Sequence, residues 1–225
     1  MRLAALFSGG KDSTYSILLA QRSGPSVDIL LTFVPQSVDS YLFHYPNIHL
    51  TPLQAEAMQK KHVIYPIGER PEEEVLDRAL EELRNQVEGL LVGVVASSFQ
   101  KKRVMETAAR HGLQVVTPLW SRDPETILKG LLAEKFAVIV VAVAAAGLGE
   151  EWLGRELDEK AVTELFELRK TLGVNPVGEG GEIETFVLDC PLFRKRVTPV
   201  VTKKVWRGFH GYLYIEKACL ADKTT

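Results

Sequence analysis

The sequence predicts an α/β protein built on a mainly parallel sheet, followed by a smaller C-terminal α+β part. Residues 3–7, 27–34, 89–96 and 138–144 form apolar runs with no polar alternation, as expected of strands covered on both faces. Stretches with helical spacing lie between them. Residues 12–22 place Tyr15, Leu18 and Leu19 on one face. Residues 71–83 open with Pro71 and three glutamates, which suit a helix N-terminus, and then space Val75, Ala79, Leu80 and Leu83 helically. Residues 101–111 read as a helix that stops at Gly112. Strand and helix in alternation imply βαβ units.

The pattern changes after residue 147. Residues 158–172 read as one amphipathic helix, and 183–188, 197–206 and 211–217 as strands. The expected division is therefore residues 1–147 for the α/β part and 148–225 for the α+β part.

Composition narrows the function classes. The chain has 225 residues, 46% hydrophobic and 25% charged, which suits a globular protein. A formal net charge of -2 gives no general attraction to nucleic acid or acidic membranes. The basic triplets Lys101-Lys102-Arg103 and Arg194-Lys195-Arg196 read as solvated surface. Cys190 and Cys219 make neither a disulfide framework nor a zinc pattern. The apolar N-terminus runs straight into a glycine loop rather than a cleavage site, and the run 136–148 is short of a membrane span. The expectation is a cytoplasmic protein with no membrane partner and no direct nucleic-acid binding; a homo-oligomer is compatible with the sequence.

The sharpest local signal is Ser8-Gly9-Gly10-Lys11-Asp12-Ser13, between the first strand and an amphipathic helix. A strand ending in adjacent glycines with a helix starting at once aims free backbone N–H groups and the positive end of the helix dipole at one point. Ser8 and Ser13 can add hydroxyl donors and Lys11 a charge, so the loop is an anion cradle. It is not a Walker A loop, because Asp12 follows Lys11 and no glycine stands upstream, and it lacks the Gly-x-Gly-x-x-Gly of a dinucleotide site. The alternative is a plain strand–turn–helix with Asp12 as a cap.

This loop resembles the pyrophosphate loop of the N-type ATP pyrophosphatases. The resemblance implies a doubly wound sheet of the adenine nucleotide alpha hydrolase-like, HUP type. It implies ATP with its β- and γ-phosphates in the loop, and cleavage between the α- and β-phosphates. Asp12 is then a candidate Mg²⁺ contact, since an acidic residue beside phosphates is repulsive unless a cation intervenes.

A second signal is the stretch from Gly178 to Phe193, Gly-Glu-Gly-Gly-Glu-Ile-Glu-Thr-Phe-Val-Leu-Asp-Cys-Pro-Leu-Phe. Alternation puts Glu182 and Glu184 on one face with Phe186, so two carboxylates point together at one site. Such a site suits a metal, an ammonium ion or a cationic substrate; an exposed acidic turn before an edge strand is the plainer alternative. The stretch resembles the motif of the diphthine–ammonia ligase family. Ser40 to His44, Asn47, Leu50 to Ala55, Gly93 to Ser97, Gln100, Arg103-Val104, Pro118 to Trp120, and Trp152 to Arg155 resemble further family segments in order. The family's Ser-Asp-Tyr-Gln stands here as Ser97-Ser98-Phe99-Gln100, and its Glu after Arg-Val is Met105.

That resemblance implies an ATP-dependent amide ligase. Diphthine, a modified histidine of translation elongation factor 2, would be adenylated on its carboxylate, and ammonia would displace AMP. It implies nucleotide contacts from Ser8 to Ser13 with Phe33 and Gly93, and catalytic roles for Lys11, Asp12, Glu182 and Glu184. Substrate contacts fall to His44, Asn47, Gln54, Ser97, Gln100, Arg103, Trp120, Trp152, Glu179, Thr185 and Asp189. Glu182, Glu184 and the two tryptophans suit the quaternary ammonium of diphthine or the incoming ammonium. Two readings stay open: an enzyme on this scaffold that amidates or thiolates a small molecule or RNA, and a nucleotide sensor without catalysis.

Overall fold

The computed structural model describes residues 1–35 and 47–223. Five strands form the first sheet: β1 (Arg2–Leu6), β2 (Ser26–Val34), β3 (Lys61–Pro66), β4 (Gly89–Leu91) and β5 (Gln114–Val116). Their order is β3-β2-β1-β4-β5, and every neighbouring pair is parallel. This is a doubly wound order, with its topological switch between β1 and β4.

The alternation of β1 explains why both faces are covered. Leu3 and Ala5 share one core with Tyr15, Ile17 and Leu18 of α1 (Lys11–Arg22). Ala4 faces the other core, with Val75, Leu76 and Leu80 of α3 (Glu72–Leu83) and Val104 and Ala108 of α4 (Ser98–Arg110). Two shorter helices, α2 (Thr51–Met58) and α5 (Pro124–Ala133), contribute Ala55, Ala57, Ile127, Leu128 and Leu131 to the α1 side. Asp123 starts α5 by accepting the Thr126 N–H, a side-chain cap with proline behind it.

The second sheet is antiparallel, in the order β7-β6-β9-β8. It comprises β6 (Ala137–Val143), β7 (Ile183–Asp189), β8 (Arg196–Trp206) and β9 (Gly211–Ala221). The run at 138–144, grouped by its composition with the parallel strands, is β6 of this sheet. A strand in the middle of an antiparallel sheet with both faces covered carries the same unbroken apolar run as a parallel one. Val140, Val141 and Val143 are buried in the core that holds α1, together with Ala161, Val162 and Leu165 of α6 (Glu159–Leu172). The two sheets thus share one core on the α1 side, and β7 reaches the carboxyl end of β1. No helix among the described residues is long and apolar enough to cross a membrane.

Candidate active site

The loop after β1 is fixed by groups that lie far away in the chain. Gly10 precedes α1 and offers it no side-chain cap. The Lys11 N–H donates instead to Thr185 Oγ1 of β7, at 3.1 Å. Val187 N donates to the carbonyl oxygen of Gly9 at 3.0 Å. The fully buried Gln54 of α2 closes the joint, its Nε2 donating to Gly9 O at 2.9 Å and to Val187 O at 2.8 Å. Gly9 has a φ of 79°, a conformation that glycine takes without steric cost. Within the loop, the Ser8 and Ser13 hydroxyls lie 3.2 Å apart, and the Thr14 hydroxyl donates to Gly10 O at 2.9 Å.

Beside this loop lies a cavity of about 150 Å³, at the carboxyl ends of β1, β2 and β4. That is the crevice in which open parallel sheets bind ligands. Its polar wall includes Ser8, Gly10, Lys11, Asp12 and Ser13, and its apolar wall includes Leu31, Phe33 and Val92. Phe33 is stacked on Tyr65 with ring centroids 5.4 Å apart. Gly93 also lines the cavity, and a Cβ there would sit 2.8 Å from backbone atoms of Asp12 and Ser13. Glycine at that position lets the end of β4 close onto the first turn of α1.

Lys11 is 2% exposed, and its Nζ donates to Val177 O at 2.6 Å and to Asp12 Oδ2 at 2.8 Å. The other Asp12 oxygen, Oδ1, is buried and has no hydrogen-bond partner. A buried carboxylate oxygen without a donor is costly unless a cation supplies the missing interaction. Among the described residues no cluster of three or more His, Cys, Asp or Glu could hold a metal. The unpartnered Asp12 Oδ1 beside the anion-binding loop fits a cation, such as Mg²⁺, shared between one carboxylate and phosphate oxygens.

Two carboxylates from the C-terminal stretch line the same cavity, Glu179 and Glu184. Glu179 Oε1 accepts the N–H groups of Ala96 and Ser97, at 2.7 and 2.6 Å, at the N-terminus of α4. Glu182 departs from the expected pairing with Glu184: it accepts the Gly180 N–H at 2.8 Å and is not part of the cavity lining. β7 begins at Ile183, so strand alternation does not extend back to residue 182. Thr185 and Gln100 complete the expected residues found in the lining.

Other expected contacts are occupied elsewhere. Asn47 is 2% exposed; its Nδ2 donates to Leu213 O and its Oδ1 accepts the Ile215 N–H, so both ends of its amide serve β9. Gln54 and the Gly9 carbonyl form the joint described above. Ser97 caps α4 through the Gln100 N–H. Arg103 pairs with Glu73, and Asp189 with Lys223 at 2.7 Å. Trp120 lies under Lys101 Nζ at 3.8 Å, and the buried Trp152 lies beside the Arg155 guanidinium at 4.4 Å. None of these side chains belongs to the cavity lining. His44 lies outside the described residues. Ile48, Val177 and Ile183 also line the cavity, and nothing in their residue types sets them apart as site residues.

Comparison with known proteins now decides the family. Residues 1–115 match the family described as the diphthamide synthase N-terminal domain, and residues 123–221 match the diphthamide synthase C-terminal domain. The chain belongs to the diphthamide synthase family. By that membership it is an ATP-dependent ligase. It is similar to the diphthine–ammonia ligase of Bos taurus, 36% identical over 220 residues, covering 88% of this chain and 82% of that protein. The Mus musculus diphthine–ammonia ligase is 36% identical over 253 residues, covering 100% of this chain and 94% of its own length. The Schizosaccharomyces pombe diphthine–ammonia ligase is 31% identical over 244 residues, 99% of this chain but 40% of that longer protein. Among solved structures, a predicted subunit of tRNA methyltransferase from Methanocaldococcus jannaschii is similar over 85% of this chain and 98% of that one, with a TM-score of 0.48 and 20% identity. The family's two parts meet at this cavity, since its lining runs from Leu6 to Gln100 in one and from Val177 to Thr185 in the other.

Proposed function

We propose that this chain amidates the carboxylate of diphthine on translation elongation factor 2, using ATP and ammonia and releasing AMP and pyrophosphate. One observation carries the reading: the anion-binding loop and the carboxylates of the C-terminal stretch line a single cavity at the switch point of the parallel sheet. Phosphates and a cationic acceptor would meet there.

The loop amides, the Ser8 and Ser13 hydroxyls and the Lys11 ammonium orient the β- and γ-phosphates. The acceptor carboxylate then attacks the α-phosphorus; an acyl-adenylate forms and pyrophosphate leaves. Ammonia attacks the acyl carbon, its nitrogen loses a proton, and the C–O bond to AMP breaks, leaving the primary amide. Mg²⁺, held by Asp12 and phosphate oxygens, would supply charge neutralisation in the loop. Glu184 and Glu179 hold positive charge near the acceptor, either the quaternary ammonium or the ammonium that delivers the nucleophile. Phe33, Val92 and Val94 exclude water from the reacting face, which protects an adenylate from hydrolysis. The reading places the enzyme in the cytoplasm, with its protein substrate.

The test is incubation with labelled ATP, ammonium and elongation factor bearing diphthine, with nucleotide chromatography and mass spectrometry of the factor. AMP, pyrophosphate and the amide are expected together. ADP as the main nucleotide product overturns the mechanism. Pyrophosphate release only with a small-molecule or RNA acceptor overturns the substrate assignment.

A further inference from the structure

The N-terminus of α1 is not capped by its own loop. Its first N–H, on Lys11, donates to Thr185 Oγ1 at 3.1 Å, across 174 positions of sequence. A threonine hydroxyl carries one proton and two acceptor lone pairs. The backbone takes one lone pair, and the proton must point elsewhere. Among the described residues no hydrogen bond is donated by that hydroxyl. Thr185 lines the cavity next to Gly10, Lys11 and Ser13, and its Oγ1 lies 3.5 Å from the Cβ position at Gly10.

Successive side chains of a strand point to opposite faces, yet Glu184 and Thr185 both line the cavity. Opposite them, the β6–β7 register shifts between Val140 and Ala142, so that Glu184 pairs with Ala142 and Thr185 with Val140. The extra residue, Val141, belongs to β6, and such bulges are frequent beside functional sites.

We propose that Thr185 is a phosphate ligand, its hydroxyl donating into the cradle while its oxygen accepts the Lys11 N–H. The inference rests on the ATP reading above and deepens it. A hydroxyl that accepts from a helix N-terminus is a stronger donor, because successive hydrogen bonds polarise one another. A bond from it to a phosphate oxygen is charge-assisted. The C-terminal sheet thus supplies one donor of a cradle that otherwise comes from β1 and α1. Affinity for phosphate then depends on how β7 is seated against the loop.

The full chain is titrated calorimetrically with Mg²⁺-pyrophosphate, Mg²⁺-ATP and adenosine, as wild type, Thr185→Val and Thr185→Ser. Valine keeps the shape and removes the hydroxyl; serine keeps the hydroxyl. Thr185→Val is expected to weaken pyrophosphate binding on the order of ten- to a hundredfold, with Thr185→Ser within about threefold of wild type. Adenosine, which has no phosphate, should bind all three alike. Unchanged pyrophosphate binding by Thr185→Val overturns the inference, as does an equal loss for adenosine or a serine variant as weak as valine. A wild-type protein that binds neither ATP nor pyrophosphate overturns the reading under Proposed function, and this inference with it. Wild-type binding with an indifferent valine variant removes only the role of Thr185.

Discussion

The Nε2 of Gln54 donates to the carbonyl oxygen of Gly9 at 2.9 Å, and the same nitrogen reaches Val187 O at 2.8 Å. One fully buried amide thereby fastens the loop after β1 to a strand of the other sheet. Gln54→Leu keeps the bulk and removes both bonds, leaving Val187 O without this donor. The expected cost is about 1–3 kcal/mol, a fall of several degrees in Tm for a chain of this size. Thermal unfolding without nucleotide checks it, and a melting curve identical to wild type would contradict the clamp.

Asp12 and Lys11 should separate in their effects. Asp12→Asn keeps the shape but takes the counter-ion from the buried Lys11 ammonium, so Tm without ligand should fall. Stabilisation by ATP should lose its dependence on Mg²⁺. Lys11→Ala should lower both, because the Lys11 ammonium is buried and bonded to Val177 O. Melting with ATP, with and without a chelator, distinguishes the two; an Asp12→Asn protein that still responds to Mg²⁺ would remove Asp12 from the metal.

Glu184 and Glu182 should also part company. Glu184 lines the cavity, whereas Glu182 is turned to the Gly180 N–H of its own turn. Glu184→Gln is expected to lower amidation by roughly thirty- to a thousandfold, about 2–4 kcal/mol of transition-state stabilisation, with ATP affinity retained. Glu182→Gln should stay within about threefold of wild type, since it loses only an exposed turn contact. Amidation rates beside calorimetric ATP binding give the answer. Equal losses in the two variants would favour a shared role for the turn.

Stability should fall on mild acidification, through His62. Thr32 donates its hydroxyl proton to Phe7 O at 2.7 Å, so His62 Nε2, at 2.8 Å from that hydroxyl, must be the donor. Burial lowers the pKa of this imidazole, so the unfolded chain takes up the proton more readily. The resulting stability is present above the unfolded value of about 6.5 and is lost as pH falls below it towards the folded pKa. His62→Gln, which keeps a donor, should flatten the decline of Tm between about pH 7 and 5. An unaltered slope would contradict the assignment.

The elements read from the sequence were those with strong local signals. The loop after β1 and the helices at 12–22, 71–83, 101–111 and 158–172 follow from glycines, helix-end residues and helical spacing. β3 gave no such signal because it lies at the sheet edge and is half exposed along its length. α2 is only eight residues long. The direction of β6 was not legible, because an apolar run records how its faces are covered but not which way its neighbours run. Within the site, residue types pointed to Lys11, Asp12 and the acidic stretch. The partners that fix them are largely backbone groups, such as Val177 O, Ala96 N and Gly9 O. Every residue carries such groups, so sequence cannot single them out.

The distance along the chain between Lys11 and Thr185 has a consequence for how this protein is made. The loop is synthesised well before the strand that holds its amide and carbonyl, since 174 positions separate Lys11 from Thr185. A chain under synthesis can build the β1–β2 pair early, but the loop remains without its tether until β7 has been made and has joined β6. Closing so long a span is slow relative to local helix formation. The loop therefore takes its final shape only once that later strand is seated beside it.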